Sequence, residues 1–226
     1  MTDQTDRAAA PLHLLVINPN TSEAITARLQ ALAEDEARIE AGGDVVVHSA
    51  TARFGAPYIS DRAGAKIAAE AVLDAAQAAL ARGLRPGAIV IGCFGDPGLR
   101  ALQQIAPCPV VGFAEAGLLE AAAAPGPFMV ATNGEAWCEM LAELAATMGL
   151  SDRISSFLSI GDPAARDAVL CRAVITEEAE RTTAVRVVLG GAGLIPILAD
   201  VAAELALPVI DPHRAAIRKA IALARA

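Results

Sequence analysis

The segment AIVIGCFGDPGL (88–99) is the clearest indication of the fold, because a short and wholly apolar run ends abruptly in a glycine-rich turn. Such a run is typical of a strand buried on both faces of a parallel sheet. Cys93 follows the strand directly, and Asp96-Pro97 predicts that a helix opens there. Because ligands of open parallel sheets bind beyond the carboxyl ends of the strands, this turn is a candidate site.

The same order of elements occurs twice along the chain. Residues 90–124 align with residues 187–224, and this alignment places Cys93 opposite Gly191. The period is far too long for a solenoid repeat and indicates duplication of an α/β unit. We therefore predict an α/β fold of two pseudo-symmetric domains, each a short, mainly parallel sheet flanked by helices, with the active site in the cleft between them.

Domain boundaries follow from the predicted strands and helices. A disordered tail is predicted for residues 1–10. The first domain is predicted to comprise residues 11–113 and 212–226, and the second domain residues 114–211. The predicted helix after residue 160 runs over residues 164–182.

Composition and charge exclude several classes of protein. Hydrophobic residues make up 54% of the 226-residue chain and aromatic residues only 3%, so the core is predicted to be aliphatic. The net charge of −8 and the scattered arginines argue against a nucleic-acid partner. No uncharged apolar run reaches the length of a membrane span, and the first ten residues do not resemble a signal peptide. We expect a cytoplasmic protein that acts on a small molecule; homo-oligomerisation is left open.

Metals and cofactors are not expected. The four cysteines form no Cys-x-x-Cys pair, and no histidine lies at ligand spacing from them, so a zinc site is not predicted. Neither lysine resembles a Schiff-base lysine, and Gly191-Ala192-Gly193 begins a dinucleotide fingerprint that ends in proline. The sequence therefore predicts chemistry performed by side chains alone.

Cys93 is the sharpest candidate for that chemistry. A thiol at a helix N-terminus ionises more readily, so we expect a lowered pKa and a role as nucleophile or general base. The alternative is a small buried residue at a strand end, which is common for cysteine. Asp96 is predicted to cap the following helix rather than to act as an acid.

Polar turns supply the candidate binding groups. Asn18 and Asn20 offer donors at a helix start, and Thr132 and Asn133 do so in the second half, although capping alone would also explain them. Tyr58, the only tyrosine, is predicted either to roof a pocket or simply to pack.

Five motifs in the same order along nearly the whole chain carry a resemblance to a known family: INPNTS (17–22), GAPYIS (55–60), IGCFGDPGL (91–99), PVVGFAEA (109–116) and PVID (208–211). The chain resembles the aspartate/glutamate/hydantoin racemase superfamily and is most similar to its hydantoin and allantoin racemases. The resemblance implies a site between two α/β domains and cofactor-independent proton transfer at an acidic carbon, with one cysteine from each half on each side.

The resemblance assigns roles to individual residues and exposes one departure. Cys93 matches the first-half cysteine, and Asn18 and Thr132 match positions that bind polar groups of the substrate. Gly191 stands where the family has its second cysteine, so a two-thiol mechanism cannot operate here. The candidate substrate-binding residues are Asn18, Pro19, Tyr58, Phe94, Gly95, Thr132, Asn133, Gly191, Ala192 and Gly193.

Three functions remain open, in this order of preference. The first is an isomerase acting on a hydantoin, allantoin or amino-acid-like substrate, with Cys93 as base and water or another group reprotonating the opposite face. The second is a single-cysteine decarboxylase of malonate-type acids, which needs only one acid. The third is a small-ligand-binding protein that has lost racemase activity.

Overall fold

The computed structural model describes residues 10–42 and 44–226, so all of the predicted tail except Ala10 lies outside the described residues. The strands are β1 (Leu12–Asn18), β2 (Val45–Thr51), β3 (Ala88–Ile91), β4 (Val110–Gly112), β5 (Phe128–Thr132), β6 (Ile154–Ser159), β7 (Val187–Leu189) and β8 (Val209–Ile210). The helices are α1 (Glu23–Ala41), α2 (Arg62–Ala81), α3 (Leu99–Ile105), α4 (Phe113–Ala123), α5 (Glu135–Thr147), α6 (Ala168–Arg181), α7 (Ile195–Glu204) and α8 (Pro212–Arg225). Within the described residues, no helix combines the length and apolar character needed to cross a membrane.

Two four-stranded parallel sheets repeat one topology. The first has the order β2-β1-β3-β4 and the second β6-β5-β7-β8, so each strand of one sheet has its counterpart at the same place in the other. The helices flank both sheets. This arrangement confirms the predicted α/β fold of two similar halves and brings the carboxyl ends of β1, β3, β5 and β7 to one cavity.

A shared apolar core joins the halves. All four residues of β3 and all five of β5 are buried, as their continuous apolar sequences predict. One cluster packs Val90 and Phe113 of the first half together with Phe128, Leu141 and Val188 of the second. Complete burial of each such side chain contributes about 1.5–3 kcal/mol, so separating the halves would be costly.

Side-chain caps set where several helices begin. Ser22 accepts the N–H of Ile25 at the start of α1, and Asp61 accepts that of Gly64 at the start of α2. The predicted start of α6 at residue 164 is wrong. Residues 164–166 form a single 3₁₀ turn, and the helix begins after Asp167, whose carboxylate accepts the Val169 and Leu170 amides.

The C-terminal helix α8 returns to the first sheet. Arg214 and Arg218 on α8 both bind the carboxylate of Glu36 on α1, at 2.5 and 2.7 Å. Glu36 is only 3% exposed, and a buried carboxylate needs such charged partners. We therefore propose that α8 belongs to the first domain.

Candidate active site

A narrow cavity lies at the carboxyl ends of the strands of both sheets. The empty space inside it, including the part that opens to solvent, is about 460 Å³, which is the size of a small-molecule site rather than of a polymer-binding groove. Its lining comes from the ends of β1, β2, β3, β5 and β7 and from α5: Asn20, Tyr58, Ile59, Gly92, Cys93, Phe94, Thr132, Asn133, Trp137, Gly191, Ala192 and Gly193.

Cys93 opens the turn after β3 and faces this cavity. Its carbonyl oxygen accepts the amides of Gly95 and Asp96 at 3.0 and 3.2 Å, which closes the turn tightly. Its side chain packs against a small cluster that contains Ile59 and Trp137. The thiol is thus held in place by elements of both halves.

The expectation that a helix lowers the pKa of Cys93 is wrong. The helix begins at Leu99 with Gly98 as its N-cap, two residues after the predicted opening at Pro97. Burial, and secondarily the charge of Asp96, raise the pKa of the Cys93 thiol well above its usual range. Cys93 is therefore protonated at neutral pH, and its thiolate is a strong base when it forms.

Asp96 caps a different helix from the one predicted. The N-cap of α3 is Gly98, whereas the two Asp96 oxygens accept the amides of Ala114 and Glu115 at the start of α4, at 2.9 and 2.6 Å. Burial raises the pKa of Asp96 to about 7, although these amides oppose the shift. A Cβ at Gly112 would overlap the Asp96 carboxylate, so glycine is required there. Asp96 thus ties the Cys93 turn to α4.

Asn18, which the resemblance assigns to substrate binding, is not among the described residues that line the cavity. It is fully buried, and its Nδ2 donates to the Asn20 and Thr26 side chains and to the Ser22 carbonyl. The cavity wall at this turn is formed by Asn20 instead. Pro19 is buried and also lies outside the lining.

Tyr58 and Phe94, both candidate substrate-binding residues, line the cavity, whereas Gly95 does not. Gly95 instead lies under the ring of Trp137: a Cβ added there would come within 2.1 Å of Cζ3. Burial, and then the Cys93 and Asp162 side chains, raise the pKa of Tyr58. The phenol is therefore protonated at neutral pH.

The second half supplies Thr132, Asn133 and the loop after β7 to the opposite wall. Asn133 donates its Nδ2 to Asp162 at 2.9 Å, which fixes its amide group. Gly191 has φ +133°, a conformation that side-chain-bearing residues rarely adopt, and a Cβ there would lie 3.3 Å from Thr132 Oγ1. The position opposite Cys93 in the duplication therefore carries no side chain and is shaped for glycine.

Trp137 is a site residue that no motif in the sequence indicated. It lies on α5 of the second half, is 7% exposed, and donates its Nε1–H to the carbonyl oxygen of Ile59 at 3.0 Å. The indole thereby joins the loop that bears Tyr58 to the turn that bears Cys93. Its status as the only tryptophan in the chain was the one available signal.

Comparisons with known proteins identify the family. The model of the Asp/Glu/hydantoin racemase family matches residues 14–220. A hydantoin racemase of Paenarthrobacter aurescens is 31% identical over 219 residues, which cover 94% of this chain and 91% of the relative. An allantoin racemase structure from Klebsiella pneumoniae superposes with a TM-score of 0.84 at 28% identity, covering 95% of this chain and 88% of the other.

The chain belongs to the Asp/Glu/hydantoin racemase family. It is an isomerase of the racemase superfamily with a racemase-type function, as its relatives among hydantoin and allantoin racemases show. A variant of arylmalonate decarboxylase is 18% identical with a TM-score of 0.64, covering 94% of this chain and 93% of the other, and this likeness concerns the fold alone. The decarboxylase hypothesis is therefore not favoured.

Proposed function

We propose that this protein is a cofactor-independent racemase of neutral, 5-substituted hydantoins and that Cys93 removes the proton from C5 of the ring. The observation that carries the substrate class is the absence of charge among the described lining residues. None of the twelve is Asp, Glu, Lys, Arg or His. The hydantoin and allantoin racemases among the relatives support the same class.

The uncharged lining argues against a free amino acid as the substrate. A zwitterionic amino acid brings an ammonium and a carboxylate, and each would need an ionic partner inside a narrow cleft. A hydantoin ring offers only amide N–H and C=O groups, which neutral donors and acceptors satisfy. Ile59, Phe94 and Trp137 add apolar wall that suits a hydrophobic substituent on C5.

Proton removal from C5 places negative charge on a neighbouring carbonyl oxygen, and the cavity offers neutral donors for it. Asn20 accepts bonds from Asn18 Nδ2 and Ser22 N through its Oδ1, so Nδ2 is the donor that it presents to a ligand. The backbone of Gly191–Gly193 lines the other side. Donors fixed before the reaction stabilise such an oxyanion without reorganisation.

The raised pKa of Cys93 suits this chemistry. The C5–H group is a weak carbon acid, so a base of high pKa removes the C5 proton more favourably than an ordinary thiolate would. However, only a small fraction of the protein molecules carry the Cys93 thiolate at neutral pH. We therefore expect kcat/KM to rise tenfold per pH unit through the neutral range and to keep rising above pH about 8.5, the usual thiol value.

Exchange in D₂O tests the proposal. The two enantiomers of a 5-benzyl or 5-isopropyl hydantoin are incubated separately, with loss of the C5 hydrogen followed by proton NMR and configuration by polarimetry. Exchange with racemisation that disappears in Cys93→Ser supports the proposal. Exchange that survives in Cys93→Ser, or none above the background for any hydantoin, overturns it. Cys108→Ser is the matched control, because Cys108 lies outside the cavity lining.

A further inference from the structure

The backbone of Asp96 has an unusual conformation. Among the described residues that are not glycine, Asp96 alone has a positive φ, at +52°. Glycine enters this left-handed region freely, whereas a residue with a side chain stays there only where its surroundings hold it. Asp96 belongs to the turn that Cys93 opens, so whatever holds this conformation also shapes the turn that presents the thiol.

Two backbone hydrogen bonds pass through Asp96. Its amide donates to the carbonyl oxygen of Cys93 at 3.2 Å, and its own carbonyl oxygen accepts the amide of Leu99, the first residue of α3, at 3.1 Å. Because both bonds involve one residue, a change of its φ would break at least one of them. The place of Cys93 relative to α3 therefore depends on the left-handed conformation of Asp96.

The carboxylate of Asp96 holds that conformation. Its Oδ1 and Oδ2 accept the amides of Ala114 and Glu115 at 2.9 and 2.6 Å, in the first turn of α4. First-turn amides have no partner within their own helix, so loss of the carboxylate would leave these two amides buried and unpaired. Hydrogen bonds to an ionised acceptor are also stronger than those between neutral groups.

Helix α4 is a firm support for these bonds. Phe113 and Leu118 of α4 are buried in the core that both halves share. Glu115 forms ion pairs with Arg100 of α3 at 3.0 Å and with Lys219 of α8 at 3.8 Å. The Cys93 turn is thereby tied through one carboxylate to the centre of the molecule.

Asp96 has no direct part in binding a ligand. It is not among the described residues that line the cavity, and of the residues that do, its hydrogen bonds involve Cys93 alone. After burial, its negative charge is the second cause of the raised pKa of the Cys93 thiol, so the carboxylate also acts on the thiol through space. Any effect of Asp96 on the reaction therefore passes through Cys93.

We propose that Asp96 is the positioning residue of Cys93: its carboxylate, bound to the start of α4, holds the left-handed turn that directs the thiol into the cavity. This inference rests on the proposed function. Without the carboxylate the turn relaxes and the thiol is displaced from the proton that it removes. Substrate binding is retained, because the remaining wall of the cavity forms no hydrogen bond with Asp96.

Two substitutions of Asp96 test this role. Asparagine tolerates a left-handed backbone and keeps one acceptor oxygen, whereas alanine does neither. We expect kcat for hydantoin racemisation to fall by up to about tenfold in Asp96→Asn and by about 10²-fold in Asp96→Ala, the effect of a misplacement near 1 Å. KM should stay within about threefold of the wild-type value. Wild-type kcat in Asp96→Ala, or a loss carried by KM alone, overturns the inference.

Gly112→Ala displaces the same carboxylate without removing it. The added Cβ would overlap the Asp96 carboxylate, while the extended backbone of Gly112 (φ −101°, ψ 152°) suits alanine. We expect kcat to fall as in Asp96→Ala. Gly126→Ala is the matched control for lost stability, because its Cβ would lie 2.9 Å from Val185 at a φ of +90°, before β5 and outside the cavity lining. It should denature earlier than the wild type and keep its kcat. Wild-type kcat in Gly112→Ala, or an equal loss in Gly126→Ala, overturns the inference.

Alkylation of Cys93 by iodoacetamide gives a measurement that needs no substrate. The rate is followed by peptide mass spectrometry from neutral pH upward in the wild type and in Asp96→Asn. Removing the charge should move the Cys93 profile toward lower pH, whereas a capping role alone leaves it unmoved, and an unmoved profile overturns the inference. If the wild type racemises no hydantoin while this profile moves, the proposed function fails and the hold of Asp96 on Cys93 is supported.

Discussion

Replacing Gly95 with alanine tests whether the ring of Trp137 is pressed against the Cys93 turn. The added Cβ would lie 2.1 Å from Cζ3 and 3.0 Å from two further ring atoms, where ordinary contacts begin at 3.4 Å. The rigid indole must therefore retreat by more than about 1 Å in a close-packed environment. Its hydrogen bond to the Ile59 carbonyl, 3.0 Å long, cannot survive that movement unless the whole loop follows.

The cost can be worked from these two effects. Overpacking of a well-packed site costs about 1–3 kcal/mol. Losing the indole hydrogen bond adds about 1 kcal/mol. The free energy of unfolding should therefore fall by about 2–4 kcal/mol, and each kcal/mol lowers Tm by roughly 2–4 °C in a chain of this size.

Thermal and urea denaturation of Gly95→Ala and of a matched variant provide the assay. Gly193→Ala is the control, because a Cβ there meets nothing within 4 Å and Gly193 lines the same cavity. Gly193→Ala should denature within about 1 °C of the wild type, since surface substitutions of this kind change stability little. If Gly95→Ala is as stable as Gly193→Ala, the reasoning about the Trp137 contact is refuted.

Three further predictions concern the turns around the cavity. Between pH 3.8 and about 7, Asp96 binds more protons in the folded than in the unfolded state, so the free energy of unfolding should fall as pH rises across that interval, by at most about 4 kcal/mol. Urea denaturation at several pH values should give a flatter dependence of this free energy on pH for Asp96→Asn. An unchanged dependence would contradict this. Asn18→Ala should lower the free energy of unfolding by about 1–3 kcal/mol in thermal denaturation, because the buried Asn20 and Thr26 side chains lose its hydrogen bonds. Asn20→Ala should also raise KM. An Asn18 variant with altered KM and wild-type stability would reverse the two assignments. Gly191→Cys should cost about 1–3 kcal/mol in the same assay because of the φ of +133°, and a variant as stable as the wild type would show that the backbone there adapts to a side chain.

The repeated α/β fold could be predicted from the sequence because its signals are local. Apolar runs such as 88–91 and 128–131 read as buried strands, and the turns that follow them carry the polar residues. The two halves could be aligned because the same order of strand, turn and helix recurs around Cys93 and Gly191. The start of α6 could not be placed because the Ala-Ala-Arg segment 164–166 before Asp167 has high helical propensity but no side-chain cap.

The details of the site depend on contacts between segments far apart in the chain. Trp137 meets Ile59 across 78 residues, and no local pattern encodes that meeting. Asp96 was expected to cap the helix next to it, but the helix it reaches begins 17 residues later. Asn18 and Asn20 belong to one motif, and only the turn's conformation decides which of them faces inward.

The indole of Trp137 gives this protein a built-in optical reporter. The chain has one tryptophan, and it forms part of the cavity wall. Its emission therefore comes from a single place, the boundary between the two halves, with no background from elsewhere in the fold. A ligand entering the cleft, or a parting of the halves, changes the polarity around that ring, so intrinsic fluorescence can titrate candidate substrates directly and time the opening of the cleft by stopped flow.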